Sequence, residues 1–398
     1  MAFLLNKFFE AAKMLAKNRA VSKDPRKFQF ETDINRLFLY TSYKRLGKEL
    51  EDAEIDEIID MGNKASIQDQ QNQVQENIHL QVQKFCSLMG DILAVQNKNE
   101  DDSIESQPTP LPENTSSRPS GLSFAVGRTG SATDNTVVSK TNFLDNMEVS
   151  RKLKDLIGYT LEVKSSMIPS KEAGQGLFIN GEAGLGSVIA FYPGMVYTPD
   201  YYRYIPGYPR VDTDNPYLVS RYDGTIINSK PWGSGGRTRE IWKGVESPQP
   251  NHNQQSDRFW KLLSKPLEGS PTGCDSDLVE LRNPLALGHY ANHPGKGMGP
   301  NAMVCPYDFP LTEKEMRVYI PNVMFGNVET SMKRYGQFWF KSWKKSKLES
   351  PVLRTLLLVA TRDICDEEVL VNYRLSNSKR RPLWYFPVDE DEDSRRWS

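Results

Sequence analysis

From Thr355 to Asn377 the chain reads TLLLVATRDICDEEVLVNYRLSN. The apolar run Leu356–Ala360, with Val352 and Leu353 upstream, is too short to span a bilayer and has the length of a buried strand. A charged turn, 362–368, separates it from a second short run, Val369-Leu370-Val371, which delivers Asn372 and Tyr373. Taken alone, Tyr373 reads as a strand-end tyrosine with its ring packed and its hydroxyl in water.

Two more stretches, in order along the chain, change that reading. Lys171-Glu172-Ala173-Gly174-Gln175-Gly176-Leu177-Phe178-Ile179 runs a G-x-G turn directly into an apolar strand. A glycine pair usually marks only a turn between strands, but it also lets a backbone approach a ligand closely. Asn283-Pro284-Leu285-Ala286-Leu287-Gly288-His289-Tyr290-Ala291-Asn292-His293 ends in an Asn-His pair. On its own, that pair is a turn residue beside a loop histidine.

Together the three stretches resemble the SET-domain protein lysine methyltransferases. Ile364-x-Asp366-Glu367-Glu368-Val369-x-x-x-Tyr373 is similar to the family's closing I-x-x-G-E-E-L-x-x-x-Y. Gly174-Gln175-Gly176 is similar to its G-x-G loop, and 283–293 to its G-N-x-A-R-F-I-N-H. Tyr192-Pro193-Gly194 falls where relatives carry Y-x-G. The resemblance spans roughly residues 153–375. It implies a mainly β SET domain of small curved sheets with a C-terminal pseudoknot, and S-adenosyl-L-methionine as cofactor. Gly174, Gln175, Gly176, Asn292, His293 and Tyr373 would bind that cofactor, with Tyr373 also catalytic.

There are two departures from the family. Six residues, Pro294–Gly299, separate Asn292-His293 from Pro300-Asn301 where relatives have three. Asp366 stands where the family has glycine, in a turn one residue shorter, so a different backbone conformation is expected there.

The rest of the chain bounds the reading. Its 398 residues suggest two to three domains, and 38% hydrophobic content leaves a sizeable part outside any core. Fifty basic against 51 acidic side chains give a net charge of -1 and no global attraction to nucleic acid or anionic membrane. Cys86, Cys274, Cys305 and Cys365 are scattered, which argues against a disulfide framework and a structural zinc site, so no metal is expected. The family's post-SET cysteines are missing. The aromatics of RPLWYF, Arg381–Phe386, would either close the lysine channel in their place or form one packed cluster in a solvated tail.

The organisation expected is a helical N-terminal region over 1–96, a disordered linker over 97–140, a SET domain over 141–377 and a tail over 378–398. Helical spacing recurs at the N-terminus, at 33–46 and at 67–93. These helices either pack on the downstream domain or serve a partner. The basic amphipathic start also suits an organellar targeting peptide, against an otherwise reducing intracellular setting in nucleus or cytoplasm. The linker is dense in Pro, Ser, Thr and Gly, with too few apolar residues to offset the entropy of ordering it.

Residues 198–282 form a variable insert. In it, Tyr201, Tyr202, Tyr204 and Tyr208 either wall a substrate groove or pack as a loop, and a hairpin is expected around Asp223-Gly224. The run KRYGQFWFKSWKKSK, 333–347, interleaves basic and aromatic residues. An amphipathic helix or a loop with solvated lysines accounts for it more simply than nucleic-acid binding.

The expected function is S-adenosylmethionine-dependent methylation of lysine in a protein or peptide, with no nucleic acid and no membrane span. The alternative is a weak or inactive SET-fold scaffold that binds protein partners.

Overall fold

A computed structural model describes residues 7–8, 10–11, 25–47, 52–93, 146–205, 207–210, 215–232, 283–325, 332–335, 338–341, 351–376 and 381–397. The expected linker lies outside these, as do all of 233–282 and the side chains of 332–341. Residues Met1–Ile92 and Leu144–Ser398 fall in one unit and Leu93–Phe143 in another. Apart from Leu93, every element below belongs to the first.

Three long helices open the chain: α1 (Pro25–Leu46), α2 (Asp52–Lys64) and α3 (Ile67–Leu93). Upstream, Phe8 is fully buried between the rings of Tyr40 and Tyr43. Helix α4 (Asn146–Ile157) then leads into small, mostly antiparallel sheets that form no barrel among the described residues. Strands β1 (Tyr159–Ser165) and β2 (Gln175–Ala183) are joined by a turn that ends at Gly174, with Gln175 and Gly176 the first two residues of β2. They are followed by β3 (Val188–Tyr192), β4 (Gly194–Tyr197), β5 (Leu218–Ser220) and β6 (Ile226–Asn228). The expected hairpin is β5–β6, turning at Gly224 with φ +81°.

Next come β7 (Ala302–Pro310), a one-turn helix α5 (Lys314–Arg317) and β8 (Asn322–Met324). Strands β9 (Met332–Tyr335) and β10 (Phe338–Lys341) pair antiparallel, so the basic-aromatic run is a hairpin there and not the helix or loop its lysine spacing suggested. Aromatic enrichment outweighs a helical charge pattern when a partner strand is adjacent. Strand β11 (Val352–Ala360), the two-residue β12 (Ile364–Cys365) and α6 (Glu390–Trp397) complete the order.

The apolar run 356–360 is the middle of the core. Strand β11 lies between β3 and β7, and Leu356 through Ala360 are all at most 1% exposed. A strand covered on both faces reads as a continuous apolar run. The other sheets are β1-β2-β12 and β5-β6-β4-β8, the β4–β8 pair being parallel.

Helix α3 packs on the β3-β11-β7 sheet, which settles locally what the N-terminal glutamines do. Gln75 donates to the carbonyl of Pro306 (2.7 Å) and accepts the amide of Asp308 (2.9 Å) on β7. Gln81 donates to Gly186 (3.0 Å) and accepts from Val188 (2.8 Å) at β3. Each carboxamide thus supplies the donor and acceptor that a neighbouring strand would offer to an edge. The six-residue step from one to the other rises roughly 9 Å, close to the span of two strand spacings. Between these two, His79 hydrogen-bonds the Tyr307 hydroxyl at 2.8 Å, and one turn beyond Gln81 Phe85 meets Phe191 at 5.4 Å.

Among the described residues no helix is long and apolar enough to cross a membrane, and no group of three or more His, Cys, Asp or Glu could hold a metal ion.

Candidate functional site

Residues 368–373 pass between the G-x-G strand and the 291–302 segment, and their backbone polar groups are taken up from both sides. Val369 donates to Leu177 (2.7 Å), Val371 to Asn292 (2.8 Å), and Asn301 and Ala302 both donate to Leu370 (3.1 Å each). Asn301, 1% exposed, acts as a peptide mimic: its side chain donates to the Glu368 carbonyl (2.7 Å) and accepts from the Leu370 amide (2.8 Å). The six residues 294–299 therefore loop out between two anchored ends. Residue 293 and residue 301 both still grip the closing segment, while Gly295 approaches Ile168 in the β1–β2 turn.

Glu368 is the hub of the site. It is 5% exposed, and its carboxylate accepts from Ser166 Oγ (2.7 Å), the Met167 amide (2.7 Å) and Asn292 Nδ2 (3.1 Å). Three donors replace the water a buried carboxylate gives up. Asn292 Nδ2 also donates to the Gln175 carbonyl at 3.0 Å, joining the G-x-G loop to the Asn-His pair. The same carboxylate explains Gly176, since a Cβ there would stand 2.3 Å from Glu368 Oε1. Gly176 is thus required by the protein's own carboxylate, not only by the close backbone approach to a ligand expected from the sequence. At Gly174, by contrast, φ is +57° and a Cβ would meet nothing within 4 Å, leaving open space beside that turn.

Tyr373 sits at the end of the gripped segment. Its hydroxyl donates to the Ala291 carbonyl (3.0 Å) and its amide to His293 Nδ1 (3.2 Å). An amide can only donate, so His293 Nδ1 carries a lone pair. Its Nε2 lies 2.8 Å from the Phe386 carbonyl, which can only accept, so the proton is on Nε2. Burial, opposed by the bond to Phe386, keeps His293 below the usual imidazole value and hence neutral. The Tyr373 hydroxyl is pushed up to about 12, first by withdrawal from water and then by the nearby Tyr217 and Glu368, although the residue as a whole keeps 42% exposure. The ring is open on one side while the hydroxyl end is enclosed.

The C-terminal aromatics cover this region. Tyr385 stacks on His293 at 4.5 Å and 20°, Trp384 meets Tyr373 edge-on at 6.3 Å and 88°, and the Tyr385 hydroxyl accepts the Leu375 amide at 3.1 Å. Tyr192, buried and raised above the ordinary tyrosine value by burial and by Tyr373, donates to the Tyr217 carbonyl at 3.3 Å. Tyr201 and Tyr204 pack instead on Phe325 at 5.6 and 5.3 Å.

At Asp366 the sequence suggested a conformation other than glycine's. Its φ is +48°, in the left-handed region glycine favours. Aspartate tolerates that region when its short side chain bonds locally, and here Asp366 Oδ1 accepts the Gly181 amide at 2.8 Å.

The structure thus brings Gln175, Gly176, Asn292, His293 and Tyr373 into one network, with Gly174 at the mouth of the turn. Sequence reasoning missed Glu368 as the hub and Asn301 as the clasp. Both lie inside the quoted motifs, so their signal was position within the pattern.

Among known proteins, the chain is similar to SET domain-containing proteins. It is 28% identical over 220 residues to human SET domain-containing protein 9, covering 54% of this chain and 58% of that protein. The same identity and length hold for SET domain-containing protein 9 of Pongo abelii, covering 64% of it. The match thus spans less than two thirds of either relative. No family model and no solved structure matches.

Proposed function

We propose that the chain is an S-adenosylmethionine-dependent methyltransferase acting on lysine side chains of proteins. The observation that carries this reading is the joining of three separate motifs, Gly174-Gln175-Gly176, Asn292-His293 and Tyr373, through Asn292, Glu368 and the Tyr373 amide. The interlocking of 368–373 with 291–302 supports the pseudoknot of the SET fold, with the N-terminal helices added to the domain's body.

The residues present fit the cofactor. Met167, Met298 and Phe386 are 75%, 40% and 40% exposed on the segments that the network draws together, an apolar surround suited to a nucleoside. Open space at Gly174 and the half-buried Asn292, beside the buried His293, would receive its polar end. When bound, the cofactor supplies an electrophilic methyl group.

The chain's own residues supply orientation and a dry surround. Tyr373, held well above neutral pH, keeps its proton and is no general base. With that proton given to Ala291, its oxygen presents lone pairs to an incoming amine. Lysine has an ordinary pKa of about 10.4 and must arrive neutral. Aromatic walls from Tyr217, Tyr373 and Trp384 disfavour the ammonium by desolvation. Alignment then provides most of the acceleration.

Two measurements test this: calorimetric titration with S-adenosylmethionine, and transfer of labelled methyl to a peptide or protein pool. Binding with transfer to lysine supports the reading. No binding removes it, and binding without transfer from any pool leaves the SET-fold scaffold.

A further inference from the structure

We propose that Asp33, on α1, is a positioning residue for Tyr373, clamping the guanidinium of Arg374 so that the N-terminal helices set the geometry of the site. The kinetic part of this inference rests on the methyltransferase reading above.

Arg374 follows Tyr373 directly and is held in an uncommon backbone state, with φ +52°. A residue with a Cβ stays in that region only where its surroundings fix it. Two things fix it here. Its amide donates to Asn372 Oδ1 at 3.0 Å. Its guanidinium meets Asp33 fork to fork, Nη1 to Oδ2 at 2.5 Å and Nη2 to Oδ1 at 2.7 Å. A two-pronged arginine–carboxylate pair fixes angle as well as distance.

The carboxylate is itself held. Gln29 Nε2 donates to Asp33 Oδ1 at 2.8 Å, and Gln29 Oε1 accepts from Arg396 Nε at 2.7 Å. Arg36, next on the same face, pairs with Glu392 at 3.5 Å. Residues 29, 33 and 36 follow the i, i+4, i+7 spacing of one helical stripe. That stripe holds both the segment after Tyr373 and α6, the anchor of the aromatics over His293. From the tail, Arg381 pairs with Asp393 at 2.7 Å and donates to the Leu375 carbonyl at 2.7 Å.

The carboxylate of Asp33 thus lies between two guanidiniums. Arg396 is lowered by burial and then by the charge of Arg374, with Asp33 acting in the opposite sense. Without the charge at residue 33, Arg374 and Arg396 repel across a half-buried space. The strained turn loses its second restraint one residue from Tyr373. A misplacement of about 1 Å at a reacting group costs on the order of 10² in rate.

The test uses the full chain with Asp33→Asn, Asp33→Glu and Arg374→Lys. Asp33→Asn should lower kcat at least about tenfold, while cofactor Kd moves less than about twofold. Asp33→Glu should recover most of the rate, and Arg374→Lys, which keeps charge and loses the fork, should resemble Asp33→Asn. Unchanged kcat in a folded Asp33→Asn overturns the proposal. So does an equal loss of melting temperature and cofactor affinity in all three variants, the mark of a merely structural role.

A second readout needs no activity. The chain has four histidines, so their imidazole nitrogens are tractable by 15N NMR. Asp33→Asn should move the Nδ1 resonance of His293, which accepts the Tyr373 amide, and leave that of His79 in place. If wild type transfers no methyl, a moved His293 signal still sustains the positioning role and locates the failure in the proposed reaction. An unmoved signal overturns the positioning role.

Discussion

The amide of Tyr373 donates to Nδ1 of His293 across 3.2 Å, so the proposed catalytic tyrosine is held by a histidine that must stay neutral to hold it. Protonation at Nδ1 would set two donors against each other and break the contact.

An acid dependence follows. Burial lowers His293 in the folded state, while the unfolded chain has the ordinary imidazole value of 6.5. Above about pH 6.5 neither state binds the proton and the group contributes nothing to pH dependence. As the pH falls below that, the unfolded state takes up a proton that the folded state resists, so stability declines until the lowered folded value is reached. Urea unfolding across this window should show a decline that is shallower in His293→Gln. Superimposable slopes would remove His293 as the source.

Tyr373→Phe removes one oxygen and keeps the ring that meets Trp384. Turnover should fall on the order of 10², with cofactor affinity little changed, because in the proposed reaction the hydroxyl acts on the aligned amine. Parallel calorimetry and labelled-methyl transfer on both proteins check this. Equal turnover would exonerate the hydroxyl.

Gly176→Ala drives a Cβ toward Glu368 Oε1, at the end of a side chain that could swing aside only by giving up its bonds to Ser166, Met167 and Asn292. A loss of roughly 1–3 kcal/mol in denaturant stability is expected, the usual range for overpacking. Adding Glu368→Asp, which retracts the carboxylate, should recover part of it. Strict additivity of the two changes would show that they do not meet.

Asn301→Ala strips both hydrogen bonds from the clasp on Glu368 and Leu370. The Leu370 amide is left buried, at a cost of roughly 1–3 kcal/mol. Methyl transfer and stability should fall together, unlike in Tyr373→Phe. Thermal melts beside the transfer assay would reveal a full-activity, full-stability variant if the clasp were idle.

Much of the β scaffold was legible because its signals are local: the apolar run of β11, the turn at Asp223-Gly224 and the glycine pair entering β2. The site motifs were legible as patterns, but not the reason for each residue. Glu367 and Glu368 are identical neighbours with opposite fates. Glu367 meets Arg362 near the surface, with its side chain 36% exposed, and Glu368 is buried under three donors. Nothing local separates them, since burial is decided by segments 76 and 202 residues away. Asp33 was hidden for the same reason, its partner lying 341 positions downstream. The glutamines of α3 read as a polar helix face, because a carboxamide that completes a sheet edge looks in sequence like one that faces water.

Those carboxamides bear on how the chain survives its own synthesis. An uncovered strand edge is a template for any other strand, its own copies included. In the β3-β11-β7 sheet both edges are answered by Gln75 and Gln81 of a helix made earlier on the ribosome. Helix α3 is in that sense a chaperone in cis, waiting for the strands it will shield. A fragment begun at residue 146 would lose these carboxamides from both edges, and filaments or inclusion bodies, rather than a smaller folded domain, are its expected fate.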